Sequence, residues 1–573
     1  MLIRKCPKCK VDMKDLHCIK CGHSTIVESK LYWCSKCNIP TYQDFCSCGA
    51  DVEYIATDMR PVFPEENLLI SLIWTGNPWA YQKDSVWYGS NFYFINGKKK
   101  KLSVTQINKW PIEKIRELKE SYELYVKDLD YQYFNSYIEK FVKENSRQYE
   151  EISSKAIDLI QTYRNRYELN EMMVSFSGGK DSTVVSHLVN TALGTKEVLH
   201  IFGDTTLEFP YTMEYKKRFT RNDESRGTKI LSAKNYEKNF ENLCEIIGPP
   251  SRVMRWCCTV FKTGAIQRKI YSAFKEKTNI LSFQGIRHSE SVSRSKYERE
   301  SESPKITKQT VVAPIIDWID FDVWLYILTT KIDFNEAYRL GWSRVGCWCC
   351  PNNGGWSEFL AKVHMYEQYV HWHELLVSFA KKIGKPDPEE YINEGGWKAR
   401  QGGNGLEAAQ TSVVSYEPCA TEDNAFNYEL QRPITEELYE LFKPFGYINT
   451  ELGNSRLGEV YVLNKKGKVI LVLQGRIGSN KLKVVIKDYH IAGAKTLSVA
   501  EGKIQCQLTK YQMCLGCKAC ESVCKHDAIS VRDDGKGKII YNISDEKCKR
   551  CTECVGHFDA GCYMRKVLCI KRT

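Results

Sequence analysis

The sequence predicts an α/β protein whose central part is a doubly wound parallel sheet, with a cysteine-dense segment at each end. Three observations carry this reading. Between residues 151 and 400, apolar strand-like runs (residues 172–176, 198–204 and 279–285) alternate with helical patterns, and parallel strands need such crossovers. A glycine loop, Ser177-Gly178-Gly179-Lys180, lies between the first run and the helical stretch 183–193. Sixteen of the 25 cysteines cluster near the two ends, twelve of them in CxxC spacings, a pattern for metal ligation in a reducing compartment rather than for disulfides.

Five segments follow in order. Residues 1–50 are short and turn-rich, with two cysteine quartets that look like a duplication. Residues 51–150 begin with aromatic strands and continue as a charged helical stretch. They include a hairpin at Phe92 to Lys98, where Asn96-Gly97 suits a type I′ turn because both central residues need positive φ. Residues 151–400 hold the alternating α/β core, and a glycine patch from Gly395 to Gly405 closes it. Residues 425–505 alternate as a small β-rich module, and residues 506–573 form the second cysteine-dense domain.

The chain has 573 residues, too many for one hydrophobic core. No run approaches the roughly 18 apolar residues of a membrane span, and no targeting segment is read at either end, so the expectation is a soluble cytoplasmic protein without a membrane partner. A net charge of +12 favours a polyanion, either nucleic acid or a phosphorylated small molecule, with a solvated lysine-rich surface as the plainer account. Lys98 to Lys101 fit a protected edge strand better than a phosphate contact. His371-Trp-His373-Glu374 lacks the HExxH spacing and reads as helix surface.

The chemistry centres on Ser175-Phe-Ser177-Gly178-Gly179-Lys180-Asp181-Ser182. A strand, a glycine loop and a helix aim backbone N–H groups and the positive helix end at an anion. Gly178 and Gly179 let phosphate oxygens approach, Lys180 adds charge, Ser177 and Ser182 offer hydroxyls, and Asp181 suits Mg²⁺ or a helix cap. The GxxxxGK[ST] loop is absent. The segment resembles instead the PP-loop of ATP pyrophosphatases, in which the loop grips pyrophosphate while the α-phosphate is attacked.

Further segments appear in the order of the phosphoadenosine phosphosulfate (PAPS) reductase family. Asp204-Thr205-Thr-Leu-Glu208-Phe-Pro210 is similar to its DTxxEFP element. Then come Arg255-Trp-Cys257-Cys258 with Lys262, Gly285-Ile-Arg287 with Arg294, Pro314-Ile-Ile-Asp317-Trp318, and Gly341 through Cys347-Trp-Cys349-Cys350-Pro351. The resemblance covers about residues 170–355. It implies an adenine-nucleotide site built from Ser175, the loop residues 177–182, Asp204, Thr205, Glu208 and Gly285, with Lys262, Arg287 and Arg294 as anion clamps and Lys180, Asp181 and Arg287 as catalytic groups.

Cys257, Cys258, Cys347 and Cys350 resemble the set that holds a [4Fe–4S] cluster in adenylyl sulfate reductases, although an S₄ set also takes zinc. Cys349 leaves the member of that run that ligates open. Cys514-x2-Cys517-x2-Cys520-x3-Cys524 is the bacterial ferredoxin run, and Cys548-x2-Cys551-x2-Cys554 continues to Cys562. In two-cluster ferredoxins the fourth cysteine serves the other cluster, which gives one [4Fe–4S] cluster to Cys514, Cys517, Cys520 and Cys562, and another to Cys548, Cys551, Cys554 and Cys524. The usual proline after each fourth cysteine is replaced by Lys525 and Tyr563. At the N-terminus, Cys6, Cys9, Cys18 and Cys21, then Cys34, Cys37, Cys46 and Cys48, read as zinc ribbons that staple a segment too small for its own core. Direct nucleic-acid contact by these ribbons is the alternative.

Three functions fit. The preferred one is ATP-dependent, Mg²⁺-assisted activation and sulfur transfer to a nucleic acid (tRNA or DNA) or a small acceptor. The second is reduction of PAPS or adenylyl sulfate to sulfite, with electrons from a ferredoxin-type donor passing through the C-terminal domain. The intact lysine of the loop, and the lack of a free cysteine in an ECGLH-like string, count against it; Glu553-Cys554-Val-Gly-His557 is the nearest, and its cysteine is already a cluster ligand. The third is a non-catalytic, redox-sensing nucleic-acid binder.

Overall fold

The computed structural model describes every residue except 1–3, 7, 10, 14–16, 23–24, 28, 225–227, 292–293, 303–308, 411–413, 535–537, 559–560 and 570–573. The chain divides into two compact units. Unit 1 comprises Met1–Gly203, Leu207–Ser232 and Lys269–Val370; unit 2 comprises Asp204–Thr206, Ala233–Arg268 and His371–Thr573.

The core of unit 1 is the expected sheet. Its strands are β1 (Met172–Phe176), β2 (Leu199–Asp204), β3 (Ile230–Lys234), β4 (Ile280–Gln284), β5 (Glu300–Glu302) and β6 (Gln309–Val312), in the order β3-β2-β1-β4-β6-β5. β1 pairs in parallel with both β2 and β4, and β4 with β6; β5 returns antiparallel on the edge. Met172, Met173, Val174 and Phe176 are all buried, as befits a central strand covered on both faces. The order reverses between β1 and β4, and a doubly wound sheet opens its ligand crevice at the carboxyl ends of such a pair.

Helix α1 (Lys180–Leu193) leaves β1 through the glycine loop and ends at Gly194, whose φ of 65° provides the left-handed stop. Helix α2 (Asp320–Thr330) follows the last strand of the sheet. Residues 51–150 share the core of this unit: the Phe63 ring lies 5.1 Å from Phe134, 5.3 Å from Trp324 and 5.4 Å from Phe334. The hairpin forms as the Asn-Gly pair predicts, with φ of 49° at Asn96 and 79° at Gly97. Lys98–Lys100 is the edge strand of its sheet, and Lys100 Nζ lies 4.3 Å from the Trp74 ring. That is the protected edge the lysine run suggests.

Unit 2 contains a six-stranded antiparallel sheet over residues 415–486. Its core continues through the long helix Leu497–Met513 to the antiparallel pair Ile529–Asp533 and Ile539–Ile543. Among the described residues no helix is long and apolar enough to cross a membrane.

Candidate functional site

The loop after β1 is pinned from several sides. Gly178 has a φ of 71°, and its carbonyl accepts from Asn335 Nδ2 at 3.1 Å. The Lys180 backbone N–H donates to Tyr338 Oη at 2.9 Å. Ser182 Oγ donates to the Gly179 carbonyl at 2.8 Å and accepts from the Ser177 N–H at 3.2 Å. Gly285, just past β4, presses on the first turn of α1: a Cβ there would lie 2.7 Å from the Asp181 carbonyl carbon and 2.8 Å from Ser182 N. Only glycine lets the β1 and β4 ends close this tightly.

Four charges interlock in the crevice. Arg287 donates through Nε to Asp181 at 2.6 Å and through Nη2 to Asp320 at 2.6 Å. Lys180 Nζ lies 3.4 Å from Asp181 and 3.2 Å from Asp320, and its side chain is only 2% exposed. Burial alone would raise both carboxyls, but the two cations outweigh it and hold Asp181 and Asp320 below their ordinary range. A fifth group backs the cluster. Asp58 accepts from the Asp320 and Phe321 N–H groups, both at 3.0 Å, and so caps α2. Burial, then the negative charge of Asp320, pushes Asp58 up to about 7.

This last shift has a measurable consequence. The folded protein keeps the Asp58 proton between about pH 4 and 7, where an unfolded chain has lost it, so stability falls as pH rises through that window. The upper bound is about 4 kcal/mol, reduced by whatever solvent screens. Asp181 and Asp320 titrate below the window and do not offset it. Asp58→Asn, which keeps one acceptor for the helix end, should remove this component, so that the variant's Tm rises relative to the wild type's between pH 5 and 7. The other shifted groups act alike in both proteins: Asp322, which burial pushes up to about 6, adds a fall with rising pH, and His364, which burial pushes down to about 3, adds a rise. An unchanged slope in the variant would show that Asp58 is ionised throughout.

The other expected site residues are placed as follows. Ser175 lies within β1, paired with Ile201 and Gln284, not in the loop. Glu208 forms a bridge with Cys347, and Trp348 N–H donates to the Leu207 carbonyl at 3.0 Å, so the 207–210 and 347–350 segments run together in unit 1. Arg294 is tied to Glu290, which Arg344 also approaches at 3.8 Å. Asp204, Thr205, Lys262, Cys257 and Cys258 belong to unit 2. There Asp204 accepts from the Thr206 N–H at 3.0 Å, and a π-helical turn spans Cys258–Thr263, a distortion that recurs at functional sites. Asp58, Asp320, Asn335 and Tyr338 were missed. For Asp320 the signal was there: in Asp317-Trp-Ile-Asp320 it is the acid opening a helix, whereas Asp317 pairs with Arg299 at 2.5 Å and His288 at 3.2 Å.

Among the described residues, two cysteine quartets gather tightly enough for one ion each. The sulfurs of Cys6, Cys9, Cys18 and Cys21 lie within 4.8 Å of one another, as do those of Cys34, Cys37, Cys46 and Cys48. In both, the N–H of the second cysteine donates to the sulfur of the first, at 3.2 and 3.4 Å, the turn of a metal knuckle. In unit 2 the two C-terminal runs carry left-handed residues at matching places: Gly516 and Lys518 around Cys517, Arg550 and Thr552 around Cys551. Burial, then the neighbouring Cys562 thiol, raises Cys514 to about 12; Cys517 is raised by burial and by Cys562, Cys520 and Cys514. Cys554 is raised to about 12 by burial and by Cys520, Cys524 and Cys548. Lys510, 1% exposed, donates to the Cys554 carbonyl at 2.9 Å amid the Cys514, Cys520, Cys554 and Cys562 thiols. A buried cation among crowded sulfurs suits a donor set that binds as thiolates. Cys244, by contrast, is buried in apolar surroundings with its thiol pushed well up, as an inert small hydrophobe should be.

With the loop, the Gly285 contact and the Arg287 cluster in view, the comparison with known proteins is direct. Residues 171–353 match the phosphoadenosine phosphosulfate reductase domain family. The matched residues include all four charges of the cluster, Lys180, Asp181, Arg287 and Asp320, while Asp58 lies outside them. An uncharacterized protein of Methanocaldococcus jannaschii is 32% identical over 270 residues, 46% of this chain and 61% of that one, so the chain spans about three-fifths of that relative's length. The adenosine 5′-phosphosulfate reductase of Shouchella clausii is 21% identical over 221 residues, 37% of this chain and 85% of that one. Among solved structures, the PAPS reductase of Candida auris in its phosphate complex is similar with a TM-score of 0.26 and 18% identity, covering 34% of this chain and 95% of that one.

Proposed function

We propose that this chain is a nucleotide-activating sulfurtransferase that binds ATP with Mg²⁺ at the loop after β1 and uses iron–sulfur centres to deliver or reduce sulfur. The supporting observation is the pairing of Asp181 and Asp320 beside Lys180 and Arg287. Two carboxylates suit a hard divalent cation, and the two cations they now hold would turn to the phosphates that such a cation accompanies. Lys180 and Arg287 would stabilise the charge that develops on the departing pyrophosphate. The acceptor attacks the α-phosphorus, pyrophosphate leaves, and a sulfur donor then displaces AMP. The acceptor is a nucleic acid or a small molecule, and the N-terminal quartets hold zinc.

The similarity to adenosine 5′-phosphosulfate reductases favours a second reading, reduction of a sulfonucleotide to sulfite with electrons from the C-terminal domain. The fate of the phosphates separates the two. Anaerobic protein given ATP, Mg²⁺, acceptor and a sulfur source should release pyrophosphate and AMP. Sulfite formed from adenylyl sulfate or PAPS, with ATP inert, would overturn the transferase reading. Binding of either nucleotide without turnover would leave only the redox-sensing role.

A further inference from the structure

Within unit 2, the two C-terminal cysteine sets have different neighbours. The first run packs on the segment that carries Cys257 and Cys258. Lys518 Nζ reaches Glu237 at 3.2 Å, Lys238 reaches Asp533 at 3.2 Å, and Arg268 Nη1 donates to Ser522 Oγ at 3.4 Å. Gly264 sits so close that a Cβ there would meet Ser522 Oγ at 2.7 Å. Tyr563, which directly follows Cys562, hydrogen-bonds Thr259, the residue after Cys258. The second run faces elsewhere. Lys443 of the β-rich module reaches Asp545 at 3.1 Å, the Arg550 guanidinium lies 3.6 Å from the Tyr447 ring, and Cys551 is exposed to solvent.

We propose that the C-terminal domain is a directional relay: electrons enter at the Cys548, Cys551, Cys554 and Cys524 set and leave from the Cys514, Cys517, Cys520 and Cys562 set toward Cys257–Cys258, with Tyr563 as the positioning residue between them. This rests on the iron–sulfur reading given above. Each passage moves one electron and breaks no bond, and the electrons come from an external low-potential one-electron donor of the reduced iron–sulfur protein class. Exposure of Cys551 gives that donor its approach. The order follows from the packing alone: the set with a solvent-facing cysteine lies against the module, and the set with buried Cys520 and Cys562 lies against the tandem cysteines.

The test uses the full-length chain, purified anaerobically and reduced with dithionite. Metal analysis comes first. About twelve irons per chain are expected from three four-iron sites; about eight would remove the centre at Cys257–Cys258, and the relay with it, before any spectrum is taken. With twelve, EPR of the fully reduced protein should show the centre at Cys257–Cys258 magnetically coupled to one C-terminal cluster. Cys517→Ser should abolish that coupling and Cys551→Ser should leave it. The opposite pattern, or equal loss in both, overturns the order. Because a ligand substitution can unfold the domain, Tyr563→Leu provides the second arm, with every ligand retained. Freeze-quench EPR should then show electron arrival at Cys257–Cys258 slowed on the order of tenfold, with iron content and Tm unchanged. An unaltered rate would remove Tyr563 from the path.

Discussion

Lys180→Ala is expected to lower nucleotide turnover by about 10²–10³-fold in kcat, the usual loss when one preorganised charge contact to a developing anion is removed, while the iron content stays unchanged. The same substitution carries a structural cost. Lys180 is buried between Asp181 and Asp320, and removing one member of a buried ion network leaves carboxylates only partly compensated, at about 3–5 kcal/mol. The two effects separate in a double variant. Lys180→Met with Asp320→Asn removes one charge of each sign, so it should regain most of the lost Tm and none of the activity. Recovery of activity along with stability would show that Lys180 acts only as a strut. Turnover unchanged in Lys180→Ala would make the loop structural.

On the zinc reading proposed above, removing metal from the two N-terminal quartets should have the other large effect. A site of four thiolates binds Zn²⁺ with about 10–16 kcal/mol of apparent free energy at neutral pH, and in a small segment that energy is folding energy. A strong chelator should therefore release about two zinc ions per chain and expose the thiols of both quartets to a thiol reagent. The quartets should differ in consequence. Around the second, Leu31, Trp33 and Ile39 enter the core of unit 1, the Tyr42 N–H donates to Asn145 at 2.8 Å, and the Ser47 N–H donates to Glu144 at 2.8 Å. Cys34→Ser should thus lower the Tm of the whole unit, by on the order of 10 °C if several kcal/mol are lost. Cys6→Ser should open only its own knuckle. Equal effects from the two substitutions, or iron in place of zinc, would refute this account.

The local chemistry of this protein is written in its sequence. The strand–loop–helix unit at residues 172–193, the Asn96-Gly97 turn and the CxxC spacings each depend on residues close together in the chain, where steric preference and ligand reach act over one or two turns of backbone. The loop residues 177–182 were legible for that reason, whereas Arg287 came only with the resemblance to the reductase family. What tertiary structure alone decided is how their charges are matched. Asp58 reaches the crevice from the connection after the strand Val52–Ala56, more than a hundred residues before the loop, and nothing in its neighbours in sequence marks it. Asp320 rather than Asp317 faces Arg287, because the first turn of α2, not the segment before it, points at the β4 end. Tyr338 and Asn335 brace the loop backbone from a turn that no short motif announces. Electrostatics inside a protein is set by distance through space, and the pairing of Lys180 and Arg287 with Asp181 and Asp320, on which the proposed chemistry depends, exists only once the sheet brings the ends of β1 and β4 together.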